Sequence, residues 1–165
     1  MTTMDNKEKY SQLISMIELK NIELISLNCN QNPAFNHKGS KPIDAAIKYN
    51  TKEVIQSGIE LIFPFCLSLA TFSNENNSGE KDYDLIDSKD KLFDISLELY
   101  LNYYIEVTDN STLDLSNFLE EINEFANKNV IINAWPYARE IVSNVTTRMG
   151  FPPLLLPPYK AMPKY

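Results

Sequence analysis

Apolar residues alternate with polar ones along two long segments in the middle of this 165-residue chain. In 59–72 and in 92–107 every second side chain is apolar, which is the spacing of a β-strand with one buried face. The other side of these strands is rich in carboxylates, so they predict a sheet with one dry face and one wet, acidic face. The carboxylates of the wet face are Glu60, Asp94, Glu98 and Glu106.

Shorter segments extend this pattern. A capping signal and an apolar stripe predict an N-terminal helix over 5–20, and alternation predicts strands over 22–29 and 43–49. The connection 73–91 is rich in Asn, Asp, Glu, Lys and Ser, so we expect a long mobile hairpin loop. Pro64 cannot donate a ladder hydrogen bond, so its strand should meet an edge or a bulge there.

A helical spacing replaces the alternation after the sheet. Helices are predicted within 115–149, and the last of them has apolar residues at steps of three and four, the spacing of a helix-packing seam. The seam residues are Ile131, Trp135, Ala138, Val142, Val145 and Met149. Pro136 predicts a kink or a start in this helix, and Gly150 predicts its end. Residues 150–165 are rich in proline and leucine and should be extended.

Together these elements predict a single α+β domain over 1–165. It has a four-stranded antiparallel sheet within 22–107, a long C-terminal helix and an extra N-terminal helix. The net charge of −7 and the pI near 4.7 argue against nucleic acid and anionic membranes, which attract basic surfaces. The sequence shows no long apolar run and no basic start followed by an apolar run, so we expect no membrane insertion and no secretory signal.

Residues that often carry chemistry are few and scattered. Cys29 and Cys66 make no disulfide framework, should be small buried or half-buried hydrophobes, and favour a reduced, cytoplasmic setting. His37 stands alone in a polar loop, so we expect neither a metal site nor acid–base chemistry there. Arg139 and Glu140 on the last helix are expected to fix packing. The sequence therefore predicts a protein that is not an enzyme and needs no cofactor.

Three motifs near the C-terminus form a specific set. Trp135-Pro136-Tyr137-Ala138-Arg139-Glu140 is followed by Thr147-Arg148-Met149-Gly150-Phe151-Pro152 and then by Leu155-Leu156-Pro157-Pro158. In residue type and order they resemble the signature of the SecB protein-export chaperones. The chain departs from that family by its N-terminal helix, and by Asn102-Tyr103-Tyr104 where the family has a glycine-containing segment.

The resemblance implies an ATP-independent chaperone, a holdase that binds unfolded polypeptides or preproteins and keeps them competent for export or folding. It also implies a homotetrameric dimer of dimers, with the helices between two sheets and the export motor SecA docked on the acidic face. SecB-like chaperones that protect an antitoxin beside a toxin–antitoxin pair are an alternative. A small-molecule enzyme on an α+β scaffold is a third hypothesis, which no Ser/His/Asp set, metal-ligand cluster or phosphate loop supports.

Client contacts are expected from apolar groups that the core does not need. They are Trp135, Phe151, Leu154, Leu155, Leu156 and Tyr159 around the tail, and Tyr100 and Tyr104 on the wet face. The last helix and its motif are expected to serve assembly. The residues assigned to assembly are Pro136, Tyr137, Arg139, Glu140, Val142, Val145 and Met149.

Overall fold

The fold is one antiparallel sheet with helices on one of its faces. A computed structural model describes residues 5–34, 43–73, 81–106 and 114–160. The elements are α1 (Asn6–Met16), β1 (Ile17–Gln31), β2 (Ile43–Thr51), β3 (Ile55–Ser57), β4 (Glu60–Ser73), β5 (Lys91–Ile105), α2 (Leu119–Phe125) and α3 (Ile131–Arg148). A π-helical turn, Ala126–Val130, joins α2 to α3, and 3-10 turns lie at Tyr83–Leu85, Ser88–Asp90 and Leu115–Phe118.

The four long strands are ordered β1-β5-β4-β2 across the sheet, and each neighbouring pair is antiparallel. The three-residue β3 pairs with the start of β4, so the sheet has five strands in the described part of the chain. The predicted α+β fold with a long C-terminal helix and an N-terminal helix is confirmed. β3 is an addition, because three residues are too few for alternation to reveal.

The dry face of the two central strands forms the core. Every second side chain of β5 is buried, and the facing residues of β4, such as Phe63 and Phe65, have no exposed surface. The helix α3 packs on this face through Ala134, Ala138 and Val142, which are also fully buried. Each large apolar side chain buried here contributes about 1.5–3 kcal/mol before entropy is counted. The seam spacing is therefore that of a helix packed on its own sheet.

Pro64 lies in the central strand β4, opposite a break in its neighbour. The strand β2 ends at Thr51, β3 begins at Ile55, and Lys52 N–H donates to the Pro64 carbonyl at 3.0 Å. The nitrogen and carbonyl of one strand residue point to the same side, so the Pro64 nitrogen also faces this break and not β5. The missing N–H therefore removes no hydrogen bond to β5, and the predicted irregularity is confirmed.

The N-terminal helix is shorter than predicted. It ends at Met16, because Ile17 pairs with Ile105 and Glu106 N–H donates to the Met16 carbonyl at 2.7 Å. The strand β1 is correspondingly longer than the predicted 22–29. Its pairing with β5 shifts register between Leu19 and Asn21 and again between Leu24 and Ser26. Each inserted residue reverses the faces of the strand, which conceals the alternation in the sequence.

Part of the predicted loop 73–91 is packed on the outer face of the sheet, opposite the helices. Ile86 is buried with Phe72, and Lys48 Nζ lies 2.8 Å from Asp84 Oδ2. Residues 74–80 of this loop lie outside the described residues, as does His37. The apolar Ile86 explains why 81–90 packs, since it covers small residues of β2 and β4.

A hydroxyl group completes the ladder where β4 and β5 change register. The shift falls between Ala70 and Phe72, at the fully buried Thr71. The Thr71 hydroxyl donates to the Phe93 carbonyl at 3.1 Å and accepts the Phe93 N–H at 3.2 Å. A buried backbone group without a partner is costly, so this side chain replaces ladder bonds that the bulge removes.

We expect Thr71→Val to lower the free energy of unfolding by about 1–3 kcal/mol, because it leaves buried groups of Phe93 without a partner. Urea unfolding followed by circular dichroism measures the change. Ser68→Ala, a substitution at a half-buried position of the same strand, is the control and should change stability by less than about 0.5 kcal/mol. Equal stability of both variants would contradict this role of Thr71.

Candidate functional site

The tail after α3 turns back and runs along the same helix. Gly150, with a φ of 90° that favours glycine, follows the end of the helix. Phe151 N–H donates to the Thr146 carbonyl at 3.1 Å, and Leu154 N–H donates to the Thr146 hydroxyl at 2.9 Å. Thr146 is fully buried, so it anchors the start of the tail from inside the packed helix.

Two side chains of α3 hold the next part of the tail. Arg139 Nε donates to the Leu156 carbonyl, and Trp135 Nε1 donates to the Pro157 carbonyl, both at 2.7 Å. Leu156 is 2% exposed and Trp135 is 5% exposed. The expectation that these two residues lie on the surface as client contacts is therefore wrong. A buried indole needs an acceptor, and the tail provides one while it covers the ring.

An aromatic cluster joins the end of the tail to β2. It consists of Tyr49, Phe65, Trp135 and Tyr159. The Trp135 ring lies 5.1 Å from that of Tyr49 and 5.6 Å from that of Tyr159. Tyr49 and Tyr159 meet edge to face at 5.9 Å, a favourable ring geometry. The tail, α3 and β2 are thus fixed relative to one another.

A groove of about 570 Å³ lies between the tail and β2. Successive side chains of a strand point to opposite faces, and four successive residues of β2 line the groove, so it follows the backbone edge of that strand. In the part of the chain that the structure describes, no strand lies beyond β2. The lining is Asp44, Ala45, Ala46 and Ile47 of β2, Leu154, Leu155, Leu156 and Pro157 of the tail, and Phe72 and Lys81.

The groove has the features that an extended polypeptide requires. An open strand edge offers backbone donors and acceptors to an added chain. Ala45 and Ala46 leave room above the edge for larger side chains, and Leu155, which is 72% exposed, is an apolar group on the opposite wall. Sequence reasoning missed the β2 wall. Alanines in a strand carry no chemical signal, and only strand order shows that β2 is an edge.

The other predicted client contacts lie in two places. Phe151, Leu154 and Tyr159 are half-buried along the tail, and the Phe151 ring packs 4.7 Å from that of Phe93. Tyr100 and Tyr104 are half-buried on the outer face of β5, on the side of the sheet away from α3. The structure therefore does not bring these two tyrosines to the tail, and their role in binding clients stays a prediction.

Two carboxylates of the wet face are paired with lysines of the same chain. Lys20 Nζ lies 3.0 Å from Glu60 Oε1, and Lys52 Nζ lies 2.9 Å from Glu98 Oε1. Hydrogen bonds with Tyr104 and Glu60 raise the pKa of Lys20, and the hydrogen bond with Glu98 raises the pKa of Lys52. Both lysines therefore keep their charge at neutral pH and reduce the negative potential of this face.

The remaining carboxylates of the wet face differ from each other. Asp94 accepts a hydrogen bond at 3.1 Å from the Asn30 amide, which is a neutral donor. Glu106 is exposed at the end of β5. The face is thus less acidic than the sequence suggested, because lysines distant in the chain reach two of its four carboxylates.

Among the described residues, side chains that could bind a metal ion do not form a cluster. These residues contain no group of three or more His, Cys, Asp or Glu side chains that could hold a metal ion. Cys66 is half-buried, and burial raises the pKa of its thiol. Cys29 is exposed, so its expected burial is wrong, because β1 is an edge strand. No helix among the described residues is long and apolar enough to cross a membrane.

The residues assigned to assembly divide between core and surface. Val142 is fully buried on the sheet of its own chain, and Val145 and Met149 are half-buried against the same core. Val142 is therefore part of the core, whereas a role of the half-buried Val145 and Met149 in assembly stays a prediction. Seam spacing requires only a packed partner, and the sheet of the same chain provides it. The assigned residues left exposed on α3 are Pro136, Tyr137 and Glu140.

Neighbouring leucines of the tail should respond differently to the same substitution. We expect Leu156→Asp to lower the free energy of unfolding by about 3 kcal/mol or more, because it buries an unpaired charge. Leu155→Asp, the matched control at an exposed position, should cost less than about 0.5 kcal/mol. Urea unfolding compares them, and equal losses would show that the tail is packed differently.

Comparison with known proteins gives one sequence match of note. No protein-family model matches the chain. The Protein-export protein SecB of Neisseria gonorrhoeae is 34% identical over 96 residues, which cover 56% of this chain and 61% of that protein. The match thus spans less than two thirds of the length of this relative.

The fold is shared over a greater length. The Mycobacterium tuberculosis Rv1957 SecB-like chaperone, solved in complex with a ChAD peptide from the Rv1956 HigA1 antitoxin, aligns with a TM-score of 0.67. The alignment covers 93% of this chain and 98% of that one, at 14% identity. The chain is thus similar to a SecB protein over part of its sequence and to a SecB-like chaperone over most of its fold.

Proposed function

We propose that the protein is an ATP-independent holdase that binds unfolded polypeptides and keeps them competent for export or folding. The observation that carries this proposal is the groove along the edge strand β2, with Leu155 exposed on its opposite wall. Both relatives are described by name as an export protein or a chaperone and neither as an enzyme, which supports a binding function.

Binding in this groove uses two interactions that unfolded chains share. Backbone groups of a client pair with the edge of β2, which does not depend on the client sequence. Apolar client side chains are removed from water against Leu155 and the small β2 residues. Neither interaction needs nucleotide hydrolysis. The free thiols of Cys29 and Cys66 fit a reducing cytoplasm as the place of action.

We further propose that the protein assembles as a dimer of dimers, with β1 as a contact between copies. Leu24 and Leu27 pair with Leu99 and Leu97 of β5, which are buried. Leu24 is nevertheless 48% exposed, because no helix of the described residues covers it as α3 covers β4 and β5. An exposed apolar edge strand invites pairing with another chain, and a second copy is the partner that closed symmetry favours.

A second candidate is a dedicated chaperone that binds and protects an antitoxin. The pairing of Glu60 with Lys20 and of Glu98 with Lys52 favours it, because it weakens the acidic face on which the resemblance places SecA. The antitoxin peptide bound to the Mycobacterium tuberculosis protein of the same fold also supports it. Protection of a neighbouring gene product, with none for unrelated clients, would favour this role over export.

Suppression of aggregation tests the holdase function. We expect the protein, without ATP, to prevent light scattering by reduced, aggregating lactalbumin, and Leu155→Asp to bind that client roughly tenfold more weakly because one leucine contact is lost. Leu85→Asp is the control, because Leu85 is exposed but does not line the groove. Equal weakening in both variants would remove the groove as the binding site.

Native mass spectrometry tests the assembly. We expect an oligomer larger than a dimer, and a shift to smaller species in Leu24→Lys, because a charge on β1 opposes pairing of apolar edges. Asn28→Lys places the same charge on the opposite side of β1, beside Ser96, and should keep the oligomer. A monomeric protein that ignores reduced lactalbumin would exclude both the assembly and the holdase function.

A further inference from the structure

The tail lies beside the edge of β2 but is poorly suited to pair with it. Four of the eight residues 151–158 are prolines, which have no backbone N–H. The N–H groups of Phe151 and Leu154 already donate to Thr146. Only Leu155 and Leu156 keep an N–H for another partner, whereas a strand needs a donor at every second residue. The tail can therefore border the edge without occupying it.

The carbonyl groups of the tail are held by the helix. Arg139 and Trp135 donate to the successive carbonyls of Leu156 and Pro157, and both bonds are short, at 2.7 Å. The Arg139 donor is charged and half-buried, which strengthens its hydrogen bond. The two donors lie one helical turn apart on α3, so together they fix both the position and the direction of the tail.

We propose that Trp135 and Arg139 are positioning residues for client binding, which hold the tail against α3 and so keep the groove beside β2 open. This inference rests on the proposed function, because it concerns the same groove. The two side chains act through the tail and not on the client. Their bonds keep Leu155, between the Thr146 anchor and Leu156, in the position where it is 72% exposed on the groove wall.

A purely stabilising role of the two donors is the alternative. Trp135 also packs on Tyr49 and Tyr159, so the test must distinguish the packing of its ring from the hydrogen bond of its N–H. Trp135→Phe keeps an aromatic ring and removes the donor. Arg139→Met keeps an unbranched apolar stem without donors, and Arg139→Lys restores a charged donor. Arg148→Met, which removes an exposed guanidinium from the same helix, is the control.

The experiment measures binding of reduced, carboxymethylated lactalbumin by titration calorimetry, at a temperature where circular dichroism shows each variant folded. Hydrogen exchange of Leu154, whose N–H donates to the Thr146 hydroxyl, reports in the same proteins whether the tail stays bound to α3. We expect Trp135→Phe and Arg139→Met to bind about tenfold more weakly. We also expect both variants to exchange the Leu154 amide faster, because a tail that is released from α3 exposes this N–H to water more often. Arg139→Lys should recover most of the affinity, and Arg148→Met should match the unaltered protein.

Two results would overturn the inference. Unaltered affinity together with faster tail exchange in Arg139→Met and Trp135→Phe would show that the tail need not be held for binding. Unaltered tail exchange in both variants would show that the donors do not hold the tail. Failure of the unaltered protein to bind lactalbumin is a different outcome, because it overturns the proposed function while the exchange rates still decide whether the donors hold the tail.

Discussion

The contact between α3 and the dry face of β4 and β5 is the interaction on which the rest of the structure depends. Ala134 and Ala138 are fully buried there, and their small side chains let the helix approach the sheet closely. Burial of this face fixes the position of α3, and α3 in turn presents Arg139 and Trp135 to the tail. The groove is therefore built on a core contact that does not itself line it.

The two edges of the sheet give the protein two surfaces of different character. The edge strand β1 is long and has exposed apolar residues that no helix of the described chain covers. The edge strand β2 is bordered by the tail, which leaves a groove instead of an open surface. Our proposals assign a second copy to the first edge and an extended client to the second. An exposed apolar edge suits a matching strand, whereas a bordered edge suits a single chain.

Local patterns predicted the parts of the fold that local chemistry determines. The alternation in 59–72 and 92–107 corresponds to β4 and β5, and the break opposite Pro64 follows from its missing N–H. Sequence patterns gave wrong boundaries where pairing with a residue distant in the chain determines the local structure. The helix predicted over 5–20 stops at Met16 because Ile17 pairs with Ile105, and the register shifts of β1 depend on its alignment with β5.

By itself the sequence determined the order of the strands and the last helix along the chain, and the proline-leucine tail that resembles the SecB signature. Only the tertiary structure decided which apolar side chains are exposed to solvent and which are buried. Leu155 and Leu156 are neighbours of the same type, yet one is exposed and the other is buried under the bonds from α3. Residue type fixes how much free energy is gained when a side chain is buried. Whether the side chain is buried depends on the element that packs against it, and that element lies elsewhere in the chain.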